Sequence, residues 1–67
     1  MSLFIHETAL VSPKALIGSN CHIGAFSIVG EEVVLGDDVR LESHVVIDGK
    51  TTVGEGTHVF PFVSIGL

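Results

Sequence analysis

The chain has 67 residues, a net charge of −5 and 46% hydrophobic residues, room for one small domain with a modest core. Eight acidic against three basic residues exclude a nucleic-acid binder, which needs clustered Lys and Arg. A single cysteine, Cys21, excludes an intrachain disulfide, and with no apolar run longer than three residues there is neither a membrane span nor a signal-peptide core, so the chain reads as cytoplasmic.

From Phe4 onward an aliphatic residue recurs at every sixth position: Ile5, Val11, Ile17, Ile23, Val29, Leu35, Leu41, Ile47, Val53, Val59 and Ile65. Glycine follows it at Gly18, Gly24, Gly30 and Gly36. This period fits neither the 3.6 residues of a helix nor the alternation of a simple strand. A hexapeptide repeat points instead to a parallel β-helix. Four positions beyond each aliphatic residue stand Ala9, Ala15, Cys21, Ser27, Val33, Val39, Val45, Thr51, Thr57 and Val63, all small or β-branched. Both series are expected to point inward, large beside small, between short strands. The glycines are expected at sharp corners whose backbone angles other residues resist. Cys21, in the small inward position, reads as packing.

The corners follow in order. Glu31-Glu32, Asp37-Asp38 and Asp48-Gly49 are turn residues, and a convex corner offers no pocket for an acid–base carboxylate pair. Gly54-Glu55-Gly56 lacks the lysine of a phosphate-binding loop. After Ile65-Gly66-Leu67 there is no polar cap such as repeat arrays use at their ends. Residues 1–67 therefore read as a single β-helix segment of about three and a half coils, the amino-terminal fragment of a longer repeat domain.

The pattern [LIV]-Gly-x-x-[small]-x resembles that of the hexapeptide-repeat acyltransferases, whose fold is a left-handed parallel β-helix. That hand is implied by the resemblance and runs against the usual right-handed crossover. Phe4-Ile5-His6-Glu7-Thr8-Ala9, His22-Ile23-Gly24-Ala25-Phe26, Ile28-Val29-Gly30 and Ser43-His44-Val45-Val46-Ile47-Asp48-Gly49-Lys50-Thr51 resemble the amino-terminal coils of the UDP-N-acetylglucosamine O-acyltransferases. Glu7 departs from the proline usual there. The resemblance implies transfer of a 3-hydroxyacyl chain from acyl carrier protein to the sugar 3-hydroxyl, in lipid A synthesis, by a homotrimer without a cofactor. The family's general-base histidine lies in a later coil, so no residue of this chain is assigned a catalytic role. The segment itself is expected to be scaffold and trimer interface, inactive alone.

His6, His22, His44 and His58 invite a metal reading, since related carbonic anhydrase-like hexapeptide enzymes bind zinc by histidines. In a three-sided coil His22 and His58 share a column but lie two coils apart, roughly 10 Å, with Arg40 between them. Zinc ligands must sit about 2.1 Å from one point, so no metal site is assigned. His44 falls in another column, beside Phe26 and Phe62. Leu10, Ile28, Val46 and Ser64 form an outward column that the interior cannot bury, and such stripes mark interfaces. Leu10, Ile28 and Val46, with Phe26 and Phe62, are therefore the interface candidates. Ser19, Asp37 and Glu55, with Asn20, Asp38 and Gly56, form a solvated acidic edge. The alternatives are another hexapeptide transferase, a carbonic anhydrase-like enzyme, or a non-catalytic β-helix scaffold. An ice-binding helix is disfavoured, because Thr51, Thr52 and Thr57 form no ranked Thr-x-Thr face.

Overall fold

Apolar pairs bounded by turn residues can satisfy their backbone only against the coils before and after them, and this chain does so throughout. The computed structural model describes residues 2–66. Among these, eleven short strands follow one another: β1 (Phe4–Ile5), β2 (Leu10–Val11), β3 (Leu16–Ile17), β4 (His22–Ile23), β5 (Ile28–Val29), β6 (Val33–Leu35), β7 (Arg40–Leu41), β8 (Val46–Ile47), β9 (Thr51–Val53), β10 (His58–Val59) and β11 (Ser64–Ile65). Every third strand joins the same parallel sheet. Sheet I holds β1, β4, β7 and β10, sheet II holds β2, β5, β8 and β11, and sheet III holds β3, β6 and β9. Together they wall a left-handed parallel β-helix of about three turns.

The register is constant. Ile5, Ile23, Leu41 and Val59 stack in sheet I, Val11, Val29, Ile47 and Ile65 in sheet II, and Ile17, Leu35 and Val53 in sheet III. In the middle coils both inward series are buried as expected, with Ile23, Leu41, Val45 and Ile47 at 0% exposure. Toward the ends burial fades. Ile5 is 40% exposed, Ala9, Val11, Ala15, Ile17, Val63 and Ile65 are partly buried, and Thr57 is exposed. A repeat buries its apolar layer only against a neighbour on each side. Cys21 is a buried free thiol, as expected of a packing residue. Ser27 is the buried polar side chain of the core; its hydroxyl donates to the Glu42 carbonyl at 3.0 Å and accepts the Val45 amide at 3.3 Å.

Gly49, Gly56 and Gly66 take the left-handed backbone expected of corner glycines (φ 73°, 75° and 79°), whereas Gly18, Gly24, Gly30 and Gly36 do not. Gly24 does not adopt the left-handed backbone; a Cβ there would lie 2.6 Å from the Glu42 carbonyl oxygen in the next coil. Its role is close approach between coils. The left-handed backbone falls two positions later, at Asn20 (φ 59°), Phe26 (59°), Asp38 (60°), His44 (58°) and Phe62 (64°). This conformation turns the amide toward the preceding coil. Asp38 donates to the Ser19 carbonyl at 2.8 Å, His44 to Ala25 at 2.9 Å and Phe62 to Ser43 at 3.3 Å, while Phe26 donates to the Thr8 hydroxyl at 3.0 Å. Asn and Asp tolerate the left-handed region; Phe and His do so at a cost of about 1–3 kcal/mol each.

Candidate functional site

The interface candidates are brought together as two columns. Leu10, Ile28, Val46 and Ser64 pair across β2, β5, β8 and β11, pointing away from the core; Leu10 is 67% and Ile28 42% exposed. Phe26, His44 and Phe62 stand on the corner that leads from sheet I into sheet II, not on a sheet face, because their left-handed backbone makes the turn. Their rings form a ladder, with centroids 5.2 Å apart for Phe26–His44 and 4.9 Å for His44–Phe62. Only the buried Ser27 separates Phe26 from Ile28 in the chain, and likewise Val45 separates His44 from Val46. Corner and face thus place four exposed apolar side chains, Leu10, Phe26, Ile28 and Phe62, on one edge together with His44 and the half-buried Val46, the kind of patch expected of an interface. Leu16, 65% exposed, begins a weaker column on sheet III that continues as Val34 and Thr52.

The outward face of sheet I is polar. His22, Arg40 and His58 stack in one column as the spacing requires, and Phe4 pairs with His22 at its end. The sequence did not reveal the part Glu42 plays there. Its carboxylate accepts from Arg40 Nε at 3.1 Å and from His58 Nε2 at 2.5 Å, joining neighbouring coils. Phe60 stacks on His58 at 4.4 Å, and Phe4 on His22 at 4.8 Å. Glu42 and Phe60 both occupy the glycine position of the repeat, and that break in the pattern was the available signal. The His58 hydrogen bond, then that of Arg40, holds the Glu42 carboxyl below its ordinary value. Burial, then the Arg40 charge, holds the His22 imidazole below its own, with Glu42 opposing.

The acidic edge behaves as turn chemistry. Asp37 Oδ1 accepts the Ser19 amide at 2.8 Å, and the Asp37 carbonyl accepts the Gly56 amide at 2.9 Å. Among the described residues no group of three or more His, Cys, Asp or Glu side chains converges to hold a metal. A shallow recess at the amino-terminal end, lined by Ser2, Leu3, Ile17, Gly18, Ser19 and Asn20, carries no charged group.

Comparison with known proteins agrees with that architecture. Residues 14–49 match the family model for the bacterial transferase hexapeptide (six repeats). The acyl-[acyl-carrier-protein]–UDP-N-acetylglucosamine O-acyltransferase of Rickettsia felis is 55% identical over 62 residues, covering 92% of this chain and 24% of that protein. A crystal structure of a UDP-N-acetylglucosamine acyltransferase superposes with a TM-score of 0.92 at 41% identity, over 94% of this chain and 24% of that one. The Arabidopsis UDP-N-acetylglucosamine acyltransferase superposes at 0.93 with 30% identity, over 94% of this chain and 22% of its own. The chain thus spans about a quarter of the length of these relatives. With its unbroken six-residue register, its three parallel sheets and these matches, the chain belongs to the bacterial transferase hexapeptide family.

Proposed function

We propose that these coils are part of a UDP-N-acetylglucosamine O-acyltransferase. The enzyme moves a 3-hydroxyacyl chain from acyl carrier protein to the sugar 3-hydroxyl, a cytoplasmic step of lipid A synthesis. The observation that carries this reading is the 55% identity to the Rickettsia felis acyltransferase, sustained over 62 residues. Acyl transfer to a hydroxyl needs a positioned general base within hydrogen-bond reach of the attacking oxygen. No residue here is given that role; a histidine in coils outside this stretch supplies it. The net charge of −5 also gives an acidic carrier protein no landing surface, so its basic contacts come from elsewhere in the assembly.

These coils act as scaffold and as a seam between three copies packed side by side. Leu10, Ile28 and Val46 form the centre of that seam, and Phe26 and Phe62 its edge. A chimera tests the reading. Residues 4–65 replace the matching coils of the Rickettsia felis enzyme, and transfer from 3-hydroxyacyl carrier protein to UDP-N-acetylglucosamine is measured. Retained transfer by a trimeric chimera is expected, and none from the 67-residue chain alone. A folded, trimeric chimera that transfers nothing overturns the proposal.

A further inference from the structure

Asp48 and Gly49 lie at the corner between β8 and β9, which leads from sheet II into sheet III. Of the chain's one Asn and three Asp residues, Asp48 alone precedes a glycine. The fold also treats the four side chains, and the amide that follows each, differently. Asn20 Oδ1 accepts the Ser2 amide at 2.8 Å and is followed by the buried Cys21. Asp37 Oδ1 accepts the Ser19 amide at 2.8 Å, while the amide after it, that of Asp38, donates to the Ser19 carbonyl at 2.8 Å. Asp38 is followed by Val39, branched at Cβ and 1% exposed. Asp48 is exposed, and the Gly49 amide donates to the carboxylate of Asp48 itself, to Oδ1 at 2.8 Å. We propose that Asp48–Gly49 is a site of spontaneous covalent modification, at which Asp48 isomerises to isoaspartate through a cyclic imide.

The chemistry needs only these two residues and water. With the carboxyl protonated, the Gly49 nitrogen bonds to Asp48 Cγ, the Cγ–hydroxyl bond breaks, and the hydroxyl leaves with the amide proton as water. Water then opens the five-membered ring. Attack at Cγ restores aspartate; attack at the main-chain carbonyl leaves the backbone running through the side chain, as isoaspartate. Ring closure requires rotation about the Asp48 Cα–C bond, which carries the nitrogen from the carboxyl oxygen it faces onto the carboxyl carbon. Gly49 has no Cβ to obstruct that rotation. What resists it is the Asp48 carbonyl, which accepts the Thr51 hydroxyl at 3.0 Å. The reaction therefore runs from the fraction of molecules in which this corner has opened, and Thr51 restrains it. The product adds one backbone atom between β8 and β9, so that Thr51, Thr52 and Val53 no longer pair in register with Val33, Val34 and Leu35.

The intact chain is incubated at mildly acidic pH, because the protonated carboxyl is the reactive form. Isoaspartate is read by enzymatic methylation with labelled S-adenosylmethionine and assigned to its residue by fragment masses. Isoaspartate confined to Asp48 is expected, and none there in Asp48→Glu, where the ring would need six members. Thr51→Val keeps the branched side chain without the hydroxyl, and isoaspartate is expected to accumulate roughly 2- to 12-fold faster, the loss of one ordinary hydrogen bond. Thr51→Ser keeps the hydroxyl and is expected to match the unsubstituted chain. Circular dichroism confirms that the variants compared are folded, and the unsubstituted chain alone tests the site, whether or not a variant folds. Isoaspartate forming at Asn20, Asp37 or Asp38 as fast as at Asp48, none forming at Asp48, or a folded Thr51→Val that gains none, overturns the proposal.

Discussion

Two alanine substitutions at the same position of the repeat separate packing from corner geometry. Gly24 and Gly30 are successive members of the series, and neither adopts the left-handed backbone. A Cβ on Gly24 would sit 2.6 Å from the Glu42 carbonyl oxygen and 2.8 Å from its carbon. Backbone of the next coil must then move, at about 1–3 kcal/mol for overpacking. That same carbonyl accepts the buried Ser27 hydroxyl at 3.0 Å, and weakening the bond adds roughly 0.5–1.5 kcal/mol. The total is about 1.5–4.5 kcal/mol. A Cβ on Gly30 meets Asp48 Oδ1 first, with the next atom 3.2 Å away. An exposed carboxylate can rotate aside, giving up its 2.8 Å bond to the Gly49 amide, which costs about 0.5–1 kcal/mol. A domain of this size has roughly 3–10 kcal/mol to lose. Urea unfolding followed by circular dichroism, with the slope checked for each variant, reads the difference. Gly24→Ala should lose at least twice the stability lost by Gly30→Ala. Equal midpoints, or the reverse order, would refute the account of coil contact.

Other perturbations act on single side chains. Ser27→Ala leaves the buried Val45 amide without its 3.3 Å acceptor and should cost about 1–3 kcal/mol in the same urea assay; a neutral result would remove Ser27 as the polar anchor of the core. Glu42→Gln tests the linkage of a depressed carboxyl. Its contribution is present above the ordinary value of 4.5 and is lost as pH falls through the lower folded value, so the urea midpoint of the unmodified chain should fall more steeply below about pH 4.5 than that of the variant. Val46→Glu, placed in the Rickettsia felis chimera, should weaken trimer assembly without unfolding the coils, because it puts charge on the proposed seam. A variant still trimeric at low micromolar concentration by sedimentation would remove Val46 from that seam.

Most of the fold was legible because a period of six admits few structures. Once Ile5, Ile23, Leu41 and Val59 are placed in one column, every other column is set, including His22–Arg40–His58 and Leu10–Ile28–Val46. What the pattern could not supply is distance. It marks Gly24 as a glycine but cannot tell a left-handed corner from a carbonyl 2.6 Å from the missing Cβ. Residue preferences point to Asn20 and Asp38 as left-handed positions, yet give no reason to suspect Phe26 or Phe62. Those two are held there by coil-to-coil amide bonds and the stack on His44, interactions that exist only after the coils have stacked.

The same limit applies to the surface. By column alone, sheet III competes with sheet II, since Leu16 is 65% exposed against 67% for Leu10. The two columns differ in the residues stacked beyond each leucine. On sheet III the column passes to Val34, half-buried, and then to Thr52. On sheet II it passes to Ile28, still 42% exposed, and then to Val46, half-buried like Val34 but beside a corner whose rings are held in a costly backbone conformation. Asn20 and Asp38 make the equivalent turn with residues that tolerate it, so turning the chain does not itself require aromatic side chains there. Three aromatic corners in succession, adjoining the more apolar column, concentrate both exposed hydrophobic area and backbone strain on one edge of the triangle. That coincidence, rather than any single residue, is why sheet II and its leading corner are proposed as the seam.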